Sequence, residues 1–377
     1  MKKIVILVTH LGVGGIEKYV SSLCSILDKK YSIEIISTFK GYDKPAFNFS
    51  SSINIKYLID GRDDDVSLKE LVKKGKIFSI FKEVYKRVKY RYLKVKLNKE
   101  VIKKLDCDYL ITTRTFHNEL VSKYLKNDSI ITISTEHNYH QNDDDYIKPL
   151  IRSLRKFDYL VVATNELYEF YEKRIGNTKC VKIDNFLDYI PSKKSSFKNK
   201  NFISVGRFST EKGFLDLIDV FYKIHLKEKD SKLFLLGDGY EKKLIEDKVN
   251  RLGLNGFVIM PGYVVGSRQE EFYLNSSVYL MTSFTEAFGL VLIEAMSYGL
   301  PCIAFDCASG PRSIINEKVG VLVSNRDIDK MSNEALSLIN NEKKLNVMKE
   351  NMSCYINKFS KKEVSKEWIK LLDNAKK

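Results

Sequence analysis

Short, nearly unbroken runs of Val, Ile and Leu return throughout this chain, each followed by a stretch with helical spacing. Strands of a parallel sheet read this way, because helices cover both of their faces. In the first half the runs fall at residues 4–8, 33–38, 53–59, 109–113, 130–135 and 159–163. In the second half they fall at residues 202–205, 233–236, 257–260, 278–281, 302–305 and 319–323. Between the two sets, residues 190–201 read IPSKKSSFKNKN, a polar stretch with the composition of a linker. Two doubly wound α/β domains are therefore expected, at residues 1–190 and 196–357, and 377 residues suffice for both. A last amphipathic stretch, residues 361–377, carries Val364, Trp368 and Leu371 or Leu372 at helical spacing, so its apolar stripe must pack on something.

Charge narrows the partners. Lys and Arg outnumber Asp and Glu 63 to 48, a formal charge of +15, which favours an anionic partner: nucleic acid, nucleotide phosphate or anionic lipid. The excess is local, since residues 69–104 hold 14 Lys or Arg against Glu70, Glu83 and Glu100. Phe78, Ile80, Phe81, Tyr85, Tyr90, Tyr92 and Leu93 interleave with these cations, the pattern of a basic, aromatic helix at an anionic membrane surface. A solvated helix pair has the same composition. The six cysteines show no CxxC spacing, which argues against a zinc ribbon or dithiol motif and for a reducing, cytoplasmic setting. The opening MKKIVILVTH reads as a first strand, its apolar run being too short for a signal-peptide core, and no apolar stretch reaches membrane-spanning length.

Three segments could carry chemistry. The first, HLGVGGIE at residues 10–17, follows the first strand and opens a helix, so Gly14 and Gly15 would let backbone N–H groups approach a phosphate. Glu17 stands where a dinucleotide fingerprint needs glycine, the Lys-Ser/Thr of a P-loop is missing, and a plain tight turn also fits. The second, GRFSTEKG at residues 206–213, follows a strand of the second set. Arg207 and Lys212 there could converge on a diphosphate, one as a fork and one as a point charge, or be surface residues. The third, TEAFGLVLIEAM at residues 285–296, places Glu286 in a loop and Glu294 on a helix. A helix starting near Phe288 puts Glu294 six residues on, about 9 Å along the axis, with the N–H groups of Phe288, Gly289 and Leu290 at its start. The alternative is a solvent-facing Glu286 and a buried, hydrogen-bonded Glu294.

Taken together with EHN at residues 136–138, LFLLGDGYE at 233–241, MPGYV at 260–264 and ASGPRSIINEKVGVLV at 308–323, these segments resemble the retaining GT-B glycosyltransferases. The family is the large glycosyltransferase 4 family, or glycosyl transferases group 1. The resemblance covers essentially the whole chain. It implies a GT-B fold, two Rossmann-like domains facing across a cleft, with the last helix, 360–377, packing back on the first domain. It also implies roles. Arg207 and Lys212 would hold the donor diphosphate without a metal, Glu294 the ribose hydroxyls, and Glu286 the transferred sugar. The backbone of Phe288, Gly289 and Leu290 would bind phosphate and sugar, Gly14 and Gly15 would let the N-terminal loop close over the phosphates, and Tyr263 or Val264 would flank the base. His137 matches the family histidine near the sugar, with His140 as a nearby rival.

The function implied is retaining, metal-independent transfer of a hexose or N-acetylhexosamine from a nucleotide-diphosphate sugar, UDP by default. No cofactor is expected beyond that co-substrate. The acceptor would be lipid-linked or a saccharide, in bacterial surface polysaccharide or glycan assembly, and the enzyme would sit at the inner face of the membrane through residues 69–104. A nucleotide-sugar epimerase or a non-catalytic binder would share the fold. A basic nucleic-acid-binding protein would explain the charge, yet no nucleic-acid module is visible, so nucleic acid is not expected as a partner. Asp63, Asp64 and Asp65, and likewise Asp143, Asp144 and Asp145, look like DxD metal signatures of the other glycosyltransferase fold, but neither run is accompanied by that fold's other features. Cys302 and Cys307 are expected to be buried free thiols.

Overall fold

The structure, a computed structural model, describes residues 1–41, 43–61 and 77–377. Asp63, Asp64, Asp65 and residues 69–76 of the basic stretch lie outside the described residues. The chain forms two compact units, Met1–Ala163 with Leu167–Ile183 and Ser365–Lys377, and Thr164–Glu166 with Asp184–Val364. The polar stretch 190–201 lies inside the second unit.

The first unit is built on a seven-stranded parallel sheet: β1 (Lys3–Val8), β2 (Ser32–Lys40), β3 (Asn54–Asp60), β4 (Tyr109–Thr112), β5 (Ile131–Thr135), β6 (Tyr159–Val162) and β7 (Lys179–Lys182). Its order is β3-β2-β1-β4-β5-β6-β7. The central strands are inaccessible on both faces, as their unbroken apolar runs require: Ile4, Val5, Ile6 and Leu7 have no exposed surface. The edge strand β7 reads KCVK and is only partly covered, so nothing in its sequence marks it as a strand. Ser365–Lys377 is part of this unit. Trp368 is fully buried, the Tyr109 hydroxyl donates to the Leu372 carbonyl at 2.7 Å, and Lys30 pairs with Asp373 at 2.6 Å.

The second unit holds a six-stranded parallel sheet: β8 (Phe202–Val205), β9 (Leu233–Leu236), β10 (Val258–Gly262), β11 (Val278–Met281), β12 (Cys302–Phe305) and β13 (Gly320–Val323), in the order β10-β9-β8-β11-β12-β13. Helix Phe214–Lys227 covers it with Phe214, Leu217, Ile218, Phe221 and Ile224, all buried at helical spacing.

Both sheets change direction in the same way. After β1 the chain winds outward through β2 and β3 and then returns to β4 on the other side of β1; β8 and β11 repeat this in the second unit. Where neighbouring strands send their connections opposite ways, their carboxyl ends leave a crevice, the usual ligand site of an open α/β sheet. Four loops open there: 9–14 after β1 and 113–114 after β4, then 206–213 after β8 and 282–289 after β11.

Candidate active site

In the second unit the loops after β8 and β11 are stitched together. Phe284 N–H donates to the Glu211 carbonyl at 2.8 Å, and the Thr282 hydroxyl donates to the Gly213 carbonyl at 2.9 Å. Gly213 has φ +63°, and a Cβ on it would lie 2.1 Å from the Thr282 carbonyl, so glycine alone allows this approach. Across the seam, the Lys212 ammonium and the Glu286 carboxylate form an ion pair of 2.5 Å, both half-buried. Two residues far apart in sequence are thus one unit of charge. Arg207, at the mouth of the β8 loop, is exposed.

Arg326 completes this arrangement, and sequence reasoning missed it. One guanidinium nitrogen donates to the carbonyls of Thr282 and Ser283 at 2.6 and 2.7 Å, and another pairs with Asp216 at 2.7 Å. The guanidinium lies 4.0 Å from the Phe284 ring centre and 4.3 Å from that of Phe305. Burial lowers its pKa and Asp216 opposes the shift. Gly310 supports the same loop from another side: a Cβ there would fall 2.5 and 2.6 Å from the carbonyl oxygens of Phe288 and Glu286.

The helix carrying Glu294 begins two residues later than expected. Gly289 takes the left-handed conformation, φ +95°, and the helix is Leu290–Ser297. Glu294 is therefore four residues into it, about 6 Å along the axis rather than 9 Å. Leu290 and Val291 lie in its first turn, where N–H groups have no intrahelical acceptor, while Phe288 and Gly289 precede the helix. Glu294 is half-buried and acts electrostatically on the hydroxyls of Tyr273 and Tyr298, whose rings stack at 4.7 Å; burial, Glu270 and then Glu294 raise the Tyr298 pKa to about 12. Beyond β10, Tyr263 is exposed and Val264 buried, so of the two only Tyr263 offers an open face. Cys302 is buried, Cys307 is half-buried, and burial raises both thiols.

In the first unit, Gly14 and Gly15 stand where β1's loop enters helix Gly15–Leu27. They differ in kind. The Glu17 carboxylate folds back so that a Cβ on Gly14 would meet its Oε2 at 2.1 Å, whereas a Cβ on Gly15 would meet nothing within 4 Å. Glu17, buried in the first turn of that helix, lies 3.5 Å from His10 Nδ1 and 3.9 Å from an Arg114 nitrogen. Arg114 follows β4 and is another residue the sequence reading passed over; a cation just after a central strand was its signal.

His137 follows β5 and packs its ring on Tyr19 at 4.2 Å. The Thr135 hydroxyl donates its one proton to the Thr112 carbonyl at 3.1 Å, so at 2.8 Å it must accept from His137 Nε2–H. Burial, then the charge of Arg114, lowers the His137 pKa to about 3. The imidazole is thus neutral at physiological pH, with its proton on Nε2 and its lone pair on Nδ1. The turn that holds it is fixed by buried Glu136, whose Oε1 accepts from His137 N–H, Asn138 N–H and the Tyr146 hydroxyl. His140, the rival, is buried against Phe170 at 4.1 Å and accepts from Asn142 N–H, a core position. Of the second acidic run, Asp143 caps helix Asp144–Ser153 and Asp144 pairs with Lys148.

Residues 188–353 match the family described as glycosyl transferases group 1. The chain is 27% identical over 386 residues to an uncharacterized glycosyltransferase of Haemophilus influenzae, with 99% of this chain and 100% of the relative covered. It is 28% identical over 254 residues to the poly(ribitol-phosphate) alpha-N-acetylglucosaminyltransferase of Staphylococcus aureus, covering 63% of this chain and 49% of that one. A Staphylococcus aureus TarM variant, solved with Fondaparinux, alpha-GlcNAc-glycerol and UDP, matches the whole length of both chains with a TM-score of 0.78 at 17% identity.

Proposed function

We propose that the chain, which has the GT-B fold and matches the group 1 family over residues 188–353, is a glycosyltransferase that moves a hexose or N-acetylhexosamine from a UDP-sugar to a lipid-linked or saccharide acceptor, with retention and without a metal. The observation that carries this reading is the Lys212–Glu286 pair beside exposed Arg207, at the point where the second sheet changes direction. The UDP held by the TarM variant and the sugar named for the Staphylococcus aureus relative support the choice of donor.

The charge logic follows from that pair. A nucleoside diphosphate brings more negative charge than one carboxylate, so it draws Lys212 away from Glu286 and adds the fork of Arg207. Glu286, released, accepts hydrogen bonds from hydroxyls of the transferred sugar, while Glu294 accepts them from the ribose. Backbone N–H groups of Phe288, Gly289 and Leu290 face phosphate and sugar, and Gly14 and Gly15 leave room for the first loop to approach the phosphates. His137 receives a sugar hydroxyl at its Nδ1 lone pair. As the anomeric C–O bond breaks, charge grows on the diphosphate, where these fixed cations and dipoles already point. The acceptor oxygen bonds the same face of that carbon, and its proton passes to the departing phosphate oxygen. Lys212 and Arg207 supply the positive charge that a divalent ion supplies elsewhere.

Thermal unfolding with UDP, GDP or CMP, each with and without chelator, tests the donor site. Near 100 times the dissociation constant, a ligand adds about 2.7 kcal/mol, a readable rise in midpoint. UDP is expected to act and to support turnover of a UDP-sugar panel, with the product anomer read by NMR. No response to any nucleotide overturns the reading, and a chelator-sensitive response overturns its metal independence.

A further inference from the structure

Helix Ile77–Ile102 turns an apolar stripe to solvent. Its inward side is mixed: Glu83 and Asn98 are buried, the Asn98 amide donates to Thr38 Oγ1 at 3.1 Å, and Ile102 and Val101 pack into the core at its C-terminal end. On the opposite side Phe78, Phe81, Tyr85, Val88, Tyr92 and Val95 succeed one another at three- and four-residue steps, each between 41% and 85% exposed. That spacing keeps them on one face, in a stripe about 26 Å long. Large apolar side chains scattered singly over a surface need no explanation, but six in register do.

Cations border the stripe. Lys82, Lys89 and Lys96 recur every seven residues along one edge and Arg91 stands on the other, all exposed. Residues 77–104 hold ten Lys or Arg against two acids, and one of these, Glu83, is occupied by Arg87 at 3.0 Å. Toward its C-terminal end the stripe runs into a cavity of about 870 Å³, where Val88, Tyr92, Val95 and Tyr124 meet four cations, Arg91, Lys96, Lys99 and Lys103, and one acid, Glu100. Apolar floor and cationic rim together fit a phosphate-bearing headgroup with the start of its acyl chains. Among the described residues no helix is long and apolar enough to cross a membrane, so this one would lie flat at a surface.

We propose that this face seats the protein on an anionic lipid bilayer, with the stripe at the boundary between headgroups and acyl chains and the bordering cations on lipid phosphates. Charge decides against a second copy of the chain, which would set ten cations against ten. A nucleic acid would satisfy the cations but offers no apolar layer to Phe78, Val88 and Val95. The inference deepens the transferase reading by placing the enzyme where a lipid-linked acceptor resides. Its test reads lipid binding, so its failure leaves sugar transfer standing.

The full chain is sedimented with vesicles of phosphatidylcholine alone or with about 30 mol % phosphatidylglycerol, at low and high salt. Binding is expected on the anionic vesicles only, and at least tenfold weaker at about 0.5 M salt, where the screening length is a few ångströms. The triple variant Phe81→Ser, Tyr85→Ser, Val88→Ser is expected to bind at least tenfold more weakly, with its circular dichroism and its midpoint shift with UDP unchanged. The triple variant Lys82→Glu, Lys89→Glu, Lys96→Glu is expected to lose binding. Equal binding to both vesicles, no binding, or full binding by the apolar variant overturns the proposal. So does a dimer in sedimentation velocity that the apolar variant converts to monomer, or an oligonucleotide that displaces the protein from vesicles while bound through the stripe.

Discussion

Lys212 Nζ and Glu286 Oε2 stand 2.5 Å apart and join the loop after β8 to the loop after β11. Both are half-buried, so neither charge can lose the other without finding a new partner. A ligand that takes the lysine must leave the carboxylate something to hold, and a sugar diphosphate offers an anion for one and hydroxyls for the other.

Substituting each partner separates these roles. Lys212→Ala removes a phosphate contact and strands Glu286, so UDP affinity is expected to fall about ten- to a hundredfold, or about 1.4–2.7 kcal/mol. Glu286→Gln releases Lys212, so UDP should bind as well or better while sugar transfer drops at least about a hundredfold. Calorimetry with UDP alone and turnover with the UDP-sugar give the two readings. Equal losses of UDP affinity in both variants would make the pair a structural tie only.

Arg326 carries a different prediction. Arg326→Met keeps most of the volume between the Phe284 and Phe305 rings but leaves Asp216 and the Thr282 and Ser283 carbonyls without their donor. A cost of about 3 kcal/mol is expected, which lowers the midpoint by roughly 6–12 °C in a unit of this size. Because the same carbonyls begin the loop that carries Glu286, turnover should fall further than UDP affinity. Arg326→Lys keeps the charge near Asp216 without the fork and should recover part of the stability but little of the turnover.

What the chain reveals without its structure follows from how local each feature is. β1 and β12 are evident as IVILV and CIAF because burial on both faces demands continuous apolar runs, whereas edge strand β7, with a lysine at each end, carries no such demand. Arg207 and Lys212 stand out because glycines frame them in a loop directly after a strand. Arg326 does not, because its partners Thr282 and Ser283 lie more than forty residues back and meet it only through the order of β11, β12 and β13. His137 and His140 look alike in sequence; only packing sends one ring onto Tyr19 and the other among Tyr139, Phe170 and Tyr171. The basic character of residues 77–102 is visible in composition, yet which face of the helix meets solvent shows only in the fold, where Glu83, Asn98 and Ile102 are buried and Phe78, Phe81, Tyr85, Val88 and Tyr92 are exposed.

Two glycine substitutions should behave in opposite ways. Gly310→Ala drives a methyl into the carbonyl oxygens of Phe288 and Glu286, backbone atoms that cannot step aside. It should cost about 1–3 kcal/mol and displace the loop, lowering both midpoint and turnover. Gly15→Ala meets no atom within 4 Å at the start of a helix, so it should leave stability equal or raised by up to about 1 kcal/mol. If this loop approaches the donor phosphates, that stable variant loses turnover through a raised KM. Wild-type kinetics in Gly15→Ala would remove the first loop from the donor site.

Acid stability gives the last test, through two imidazoles, His117 buried and His137 half-buried. Burial, then Lys94 and Arg114, lowers the His117 pKa to about 3, and burial with Arg114 does the same to His137. Both titrate lower in the folded chain than the ordinary value of about 6.5 in the unfolded one, so between those limits the unfolded chain binds more protons. Stability from these groups is complete above about pH 6.5 and is lost progressively as pH falls toward 3. His117 has no exposed surface, its Nε2 faces Thr38 Oγ1 at 3.1 Å, and its Nδ1 has no partner. His117→Leu should therefore flatten the acid limb by up to about 1.4 kcal/mol per pH unit, even if it lowers stability at neutral pH. His137→Asn should flatten it as well and also impair transfer, whereas the pH–rate profile of the wild type should show no inflection near 6.5 from a histidine that stays neutral. Denaturant titrations from pH 4 to 8 measure the slopes, and an acid limb unchanged in both variants would assign the loss of stability to carboxylates instead.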